Sequence, residues 1–408
     1  MAKPLLSIKQ IDQQLEPVLR KMEARGILVD VPYLKTLGER FAGEIAELQA
    51  KIYRAAGHEF TIDSPKQLSA VLYDELHLDD GEGVFVRKTK TKQRSTAAHE
   101  LAKMADAHPL VPLVLEYREK KKLLSTYVEP LPTQIGEDGR IHTSYSIDTA
   151  AGRLSSKNPN LQNIPVRSEE GRHIRRAFVA KDGYELLSID YSQIELRIAA
   201  HFSGDEAMIE AFESGKDIHS ATAERMNVER RVAKAINFGL LFGQGVFGLS
   251  EALRIPQEDA RLFIDQYFTT YPKLHAWMQS VQALARDKGY AETLFGRRRY
   301  LAEITGHNAT LRNFAERVAL NHPIQGTEAE IVSLAMVKVD AEIPEAEAAM
   351  LLQVHDELVF EIPQDTAKKI AAQIQPLMTG VINLAVPIVT DAKAGPTWAE
   401  LESVASSQ

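Results

Sequence analysis

The chain has no cysteine among its 408 residues. Disulfides, thiolate metal sites and cysteine nucleophiles are thereby excluded, and the absence fits a reducing compartment. Long apolar runs are missing as well. The opening MAKPLLSIKQIDQQLEPVL lacks the hydrophobic stretch of a secretory signal. No segment reaches the about 18 uninterrupted apolar residues that a membrane span requires. No internal repeat is visible. Nor is there an overall excess of positive charge, since 48 Lys and Arg stand against 56 Asp and Glu, for a net charge of −8. Any polyanionic partner must therefore be held by a local basic surface and not by the field of the whole molecule.

What is present is an ordinary globular composition, 44% hydrophobic and 25% charged, on a chain long enough for two or three domains. Ile11, Leu15, Val18, Leu19 and Met22 recur at helical spacing, and Gly26 stops that helix before a short strand, ILVD. A second helix is predicted from about Pro32 to Ala56, with proline near its start and Gly57 after its end. Ser64-Pro65 opens another short helix. Residues 95–127 are predicted helical, with a break near His108-Pro109, and this arm ends near Pro130. Residues 131–185 carry Gly, Ser, Asn and Pro turns and are predicted to form short strands and ordered loops. ELLSID at 185–190 reads as a strand with a polar end, followed by a helix from about Gln193. Helices dominate 205–285, and LLQVHDELVFE at 351–361 reads as two strands around a tight turn.

Three features carry chemistry. Two apolar strands end in acid, one at Asp190 and the other at Asp356-Glu357. Each alone suits a turn former or a cap. Together they suit a pair of divalent ions about 4 Å apart, which offset charge on the attacking and leaving oxygens of a phosphoryl transfer. Hard carboxylate ligands favour Mg²⁺. Secondly, RRVAKAINFGLLFG at 230–243 sets Arg230, Lys234, Phe238 and Phe242 four residues apart on one drifting helical face. That face either grips a triphosphate beside a base or sugar, or lets its cations snorkel over a packed aromatic stripe. Thirdly, Arg87, Lys88, Lys90, Lys92 and Arg94 form a basic run with no acid inside it. It is either a solvated loop or a phosphate contact.

The three segments belong together. SIDYSQIELRIAAH at 188–201, RRVAKAINFGLLFG and QVHDELVFE at 353–361 resemble, in order, the three polymerase motifs of the bacterial DNA polymerase I family. GRLSSKNPNLQNIP at 152–165, GKDIHSATA at 215–223, HPIQGTEAE at 322–330, TYVEPLP and the final GPTWAE extend the resemblance over nearly the whole chain. The resemblance implies an α+β right-hand fold with an antiparallel palm sheet, helical fingers and a helical thumb. Residues 1–30 would pack on the palm, 31–130 form the thumb, 131–204 the first part of the palm, 205–320 the fingers and 321–408 the second part of the palm. It implies a monomeric, cytoplasmic, bacterial or phage-like DNA-directed DNA polymerase of replication or repair. Its partners would be a primer-template duplex and an incoming dNTP. Its cofactors would be two Mg²⁺ ions, with Mn²⁺ as a substitute.

Carried over by position, Asp190 and Asp356 hold the metals, and Glu357 is an auxiliary acid near the primer end. Glu195 lies under the incoming sugar and excludes a 2′-hydroxyl. Arg230, Lys234 and His219 meet the triphosphate, and Lys234 also protonates the leaving pyrophosphate. Phe238 packs near sugar and base. Arg153, Arg317, Gln325 and His355 line the primer-template, and Lys88, Lys90 and Lys92 become contacts to the duplex backbone.

The departures are equally specific. The second motif usually ends in Tyr-Gly, whereas here Phe242 precedes Gly243. The missing hydroxyl implies that Glu195 is held less tightly. Only AERMNVE separates the His219 helix from Arg230, which implies a short fingers tip. HPIQGTEAE departs from the commoner APIQGTAAD. The chain begins where the family's polymerase domain begins, so neither a proofreading nor a 5′ nuclease domain is expected within it. A single-subunit RNA polymerase, a non-catalytic DNA clamp and a two-metal nuclease are the competing readings. Primer extension with dNTPs and then NTPs separates them.

Overall fold

The computed structural model describes residues 7–79, 86, 88–89, 92–147, 151–166 and 168–404. Arg87 and Lys90 of the basic run lie outside these residues.

Local chemistry sets the first elements. Ser7 and Gln10 form a reciprocal capping box that starts the helix Ile8–Arg25, and the five predicted apolar residues are its buried face. Gly26 ends it at φ +60°, where an added Cβ would stand 2.6 Å from the Ile141 carbonyl oxygen, so the chain needs glycine there. Strand Ile27–Val29 pairs antiparallel with Arg140–Ile141 on one side and Phe178–Val179 on the other. Asp30 caps the next helix, Val31–Ala56, with Pro32 in its first turn and Gly57 in the left-handed conformation beyond its end.

That helix has 26 residues, a length of about 39 Å, and it joins two cores. Leu34, Leu37 and Phe41 at its root pack with Ile27, Phe178, Leu186, Val359 and Trp398. Leu48 and Ile52 near its far end belong to a separate core with Leu68, Leu72, Tyr73, Leu101, Val114 and Tyr117. The described residues between Leu48 and Tyr117 thus form a helical arm with its own interior, apart from the body that holds the sheet. The break near His108-Pro109 is real, with helices Ala98–Leu101 and Leu110–Leu123 on either side.

The central sheet has five antiparallel strands in the order Glu402–Ser403, Thr390–Gly395, Tyr184–Tyr191, Glu357–Pro363, Ala349–Val354. Both faces are covered. Leu187, Ile189, Leu358 and Phe360 point into the largest core, with the N-terminal helix, the 34-residue helix Ala309–Glu342 and the helix Ala367–Thr379. Leu186, Leu352, Val354 and Val359 point the other way. Alternate residues therefore serve opposite layers, as the pleat demands. Burial on both sides explains why ELLSI reads as an apolar run and not as an alternation.

A second helical body covers 206–288. Helices Ile218–Met226 and Arg230–Leu241 are joined by residues 227–229 alone, with Asn227 in the left-handed conformation at φ +52°. The connection is as short as its sequence suggests. Among the described residues no helix is long and apolar enough to cross a membrane.

Candidate active site

Register brings the acids together. Asp190 lies near the end of the central strand, directly opposite Glu357 on one neighbour and Asp391 on the other. His355 and Asp356 form the tight turn joining Ala349–Val354 to Glu357–Pro363. The Tyr191 amide donates to the Asp356 carbonyl at 3.2 Å, which fixes that turn against the strand end. The Asp190 and Asp356 carboxyls come close enough for the charge of one to bear on the other. His355 and Gln193 flank the two acids, and both are non-glycine residues with positive φ, +58° and +55°. Such conformations persist only where surrounding structure imposes them, and they gather at functional sites.

Crowding raises both aspartates above the usual carboxylate range. For Asp190 the main cause is desolvation, followed by the negative charge of Asp356 and Glu357; for Asp356 it is again desolvation. Among the described residues no group of three or more metal-ligating side chains is drawn together. The two aspartates nevertheless fit Mg²⁺, which binds through one or two carboxylates and completes its shell with water and substrate phosphate oxygens. Glu357 is tethered differently. It accepts from Ser188 Oγ at 2.6 Å and Trp398 Nε1 at 3.2 Å, with Arg175 at 3.8 Å. Both hydrogen bonds go to Oε1, so the carboxyl is anchored through one oxygen while Oε2 keeps lone pairs for an auxiliary role.

The cationic helix begins beside the strand end. Gln193, three residues past Asp190, donates to Asp217 Oδ2 at 2.7 Å. Arg230 holds the same carboxylate in a fork, Nε at 2.9 Å and Nη2 at 3.0 Å. Burial acts to raise Asp217, but the Arg230 guanidinium and donors from Ser220 outweigh it and hold the carboxyl well below the usual range. Lys234, one turn further, is exposed and has no ion pair among the described residues. Ala233, Ile236, Asn237, Leu240 and Leu241 form the buried face of this helix. The cations therefore lie on its open side, and Arg230 does not snorkel over the aromatic pair. Phe238 packs on His219 with ring centroids 5.3 Å apart and on Phe242 at 6.4 Å.

His219 is 2% exposed. Desolvation lowers its pKa to about 4 against the pull of Asp217, with help from Lys234 and Arg230. The ring is therefore neutral at pH 7. Asn237 Nδ2 donates to its Nδ1 at 3.0 Å, which leaves the proton on Nε2 as a neutral donor. Sequence reasoning passed over Asn237, since nothing local distinguishes it from a helix-interior asparagine.

Phe242 ends the helix, and Gly243 turns the chain at φ +75° beside Arg317, whose Cγ would lie 3.2 Å from an added Cβ. Arg317 is exposed and Gln325 half-buried, both on Ala309–Glu342. Arg153 and His355 line one cavity with Gln162, Gln353 and Glu328. Glu195 is in the first turn of Ile194–Ser203, where a helix N-terminus favours negative charge. Glu195 lacks the tyrosine hydroxyl of the family pattern but has a partner of another kind. Arg153 Nη2 donates to its Oε1 at 3.0 Å, and the same guanidinium also binds Glu328. Glu328 was not singled out from the sequence, yet it is 3% exposed. Desolvation pushes its carboxyl up to about 8.

Of the basic run, Lys88 and Lys92 are exposed on a short reversal where Lys88 bridges Arg94 across the chain. Arg94 is committed to Asp79 at 3.0 Å and to Asp74, so it braces the arm. Lys88 and Lys92 stand at the surface, and Lys90, the third lysine of the run, lies outside the described residues. Replacing all three with Gln should weaken duplex binding uniformly across sequences and flatten its salt dependence, by about 0.9 in log–log slope for each phosphate that is no longer neutralised. Titrations at several salt concentrations check this, and an unchanged slope means a solvated loop.

Comparison with known proteins bears on the whole chain. A profile described as DNA polymerase family A matches residues 31–400. The chain is 46% identical over 401 residues to the thermostable DNA polymerase I of Thermus aquaticus, covering 96% of this chain and 48% of that protein. It is 45% identical over 407 residues to DNA polymerase I of Pseudomonas aeruginosa, covering 96% and 44%. The chain thus spans about half the length of the curated relatives it matches. Among solved structures, the POL domain of Pol1 from M. smegmatis, in complex with DNA primer-template and dNTP, superposes with a TM-score of 0.90 at 40% identity, over 95% of this chain and 70% of that one. At that likeness the sheet and the two helical bodies are the palm, fingers and thumb of a right-hand polymerase. The chain belongs to DNA polymerase family A.

Proposed function

We propose that this protein is a template-directed DNA polymerase, adding deoxynucleotides to a primer 3′-hydroxyl and releasing pyrophosphate. The observation that carries the proposal is the strand register that sets Asp190 against the Asp356 turn. It is supported by the fork from Asp217 that starts the Arg230 helix beside the same strand end. The thumb would be drawn from 31–130, the fingers from 205–320 and the palm from the remainder. The bacterial relatives support a cytoplasmic setting, and a single copy suffices for the chemistry.

Asp190 and Asp356 would hold the two Mg²⁺ ions, or Mn²⁺ in their place. When bound, those ions supply the positive charge that offsets the attacking and leaving oxygens. The chain's own residues do the remaining work. Lys234 and Arg230 hold the triphosphate by charge-assisted contacts, and Lys234 gives its proton to the leaving pyrophosphate. His219 Nε2 donates to a phosphate oxygen without adding charge. Phe238 bears on the sugar and base, and Glu195 occupies the space a 2′-hydroxyl would need. Arg153, Arg317, Gln325 and His355 border the primer-template. Glu357, anchored through Oε1 by Ser188 and Trp398, is an auxiliary acid near the primer end. Specificity comes from base pairing and pair shape.

Primer extension with Mg²⁺ tests the proposal. Template-directed products with dNTPs, and few with NTPs, are expected. NTPs used as readily as dNTPs would favour an RNA polymerase. Release of nucleotides without any dNTP requirement would favour a nuclease. Binding without extension would leave a clamp.

A further inference from the structure

Position 328 departs from the family pattern, with a carboxyl where the commoner motif has alanine. A carboxyl at a buried helix position is expensive unless it is partnered. Glu328 is 3% exposed in the middle of Ala309–Glu342, and it faces Arg153. Arg153 binds it through Nη2, and the same nitrogen reaches Glu195 Oε1 at 3.0 Å. The carboxyls of Glu195 and Glu328 thus face the same guanidinium, close enough for each to bear on the other's charge. Three side chains from three separate segments close a triangle.

We propose that Glu328 is a positioning residue for sugar selection, fixing Glu195 through Arg153. The proposal rests on the reading of Glu195 as the barrier to a 2′-hydroxyl. Glu195 is in the first turn of its helix and free to choose among rotamers unless something holds its carboxyl. Arg153 alone is a single tether, and its own stem is partly exposed, with 37% of the side chain accessible. Glu328 adds a buried anchor for that guanidinium from a long helix packed into the main core, so the group that holds the Glu195 carboxyl is itself fixed. A site held by supporting hydrogen bonds selects more sharply than one held by a single contact. Glu328 is buried and faces Arg153. It acts through the guanidinium it binds.

The measurement is the dNTP/NTP ratio of incorporation efficiencies, kcat/KM for each, on one primer-template with Mg²⁺. Wild type is compared with Glu195→Ala, Glu328→Ala, Glu328→Met, Glu328→Gln and the double variant Glu195→Ala/Glu328→Ala. Glu195→Ala should collapse the ratio. Glu328→Ala should lower it about fivefold, part of what a hydrogen bond to a charged group contributes. Glu328→Met fills the same volume without polar contacts and should behave like Ala, so the result does not hang on one variant folding. Glu328→Gln keeps an acceptor for Arg153, and it should restore most of the ratio. The double variant should match Glu195→Ala, because the group being positioned is gone. If Glu195→Ala collapses the ratio while Glu328→Ala and Glu328→Met leave it at the wild-type value, Glu328 has no positioning role and the reading of Glu195 stands. If Glu328→Gln is as poor as Ala, the hydrogen-bonded link through Arg153 is not what acts. If Glu195→Ala itself leaves the ratio unchanged, the sugar barrier lies elsewhere, and both ideas fall.

Discussion

Asp356→Ala should reduce single-turnover extension in Mg²⁺ by about 10³-fold or more, while primer-template affinity changes little. Charge stabilisation by divalent ions contributes several kcal/mol to a phosphoryl transfer, and about 4 kcal/mol corresponds to about 10³ in rate. Asp190→Ala should act in the same way, because the two carboxyls face each other across the strand end and the turn. The expected pattern is loss of the rate with retention of DNA binding. Near-normal extension by Asp356→Ala would refute the assignment of this pair.

The same variant has a second, opposite effect. Asp190 and Asp356 are raised above the ordinary aspartate value by desolvation and by mutual repulsion with Glu357. A raised carboxyl binds more protons folded than unfolded, so it subtracts stability as pH climbs above about 3.9, the unfolded value. Removing Asp356 relieves Asp190 of that repulsion. In EDTA, Asp356→Ala should therefore melt at or above the wild-type temperature at pH 8, and its advantage should shrink toward pH 4. Calorimetry across that range checks the sign. A lower melting temperature at every pH would mean that Asp356 stabilises the turn.

Lys234→Ala should slow nucleotide incorporation by about 10²-fold, the scale of losing one donor aimed at developing charge. Arg230 and Lys234 share the open face of one helix but differ in their commitments. Arg230 is bound in a fork by Asp217, so its charge is largely met before any substrate arrives. Lys234 has no ion pair among the described residues. Its charge would be available to a triphosphate, and such a contact would strengthen as the pyrophosphate gathers charge in the transition state. Rapid-quench kinetics at saturating dNTP, with DNA affinity measured in parallel, separates the roles. If Lys234→Ala loses DNA affinity while the incorporation rate holds, Lys234 serves the duplex and not the triphosphate.

Local chemistry by itself determined much of this protein. The five-residue buried face of Ile8–Arg25, the glycine stops at 26 and 57, and the turn at His355-Asp356 follow from periodicity, capping and turn propensity, which act over a few residues. The same holds for the Arg230, Lys234, Phe238 stripe, whose spacing puts it on one face before any folding is known. Tertiary structure decided what each charge meets. Asp391 stands opposite Asp190 only because Thr390–Gly395 pairs in that register. Asp217 engages Arg230 because residues 227–229 fold two helices back on each other. Arg153, Glu195 and Glu328 come from a loop and two helices far apart in the chain, and no pattern in any one segment announces their triangle. Helical spacing fixes which face a side chain shares. Which partner waits across that face depends on packing between distant segments, and so does whether a carboxyl there is held, crowded or left open.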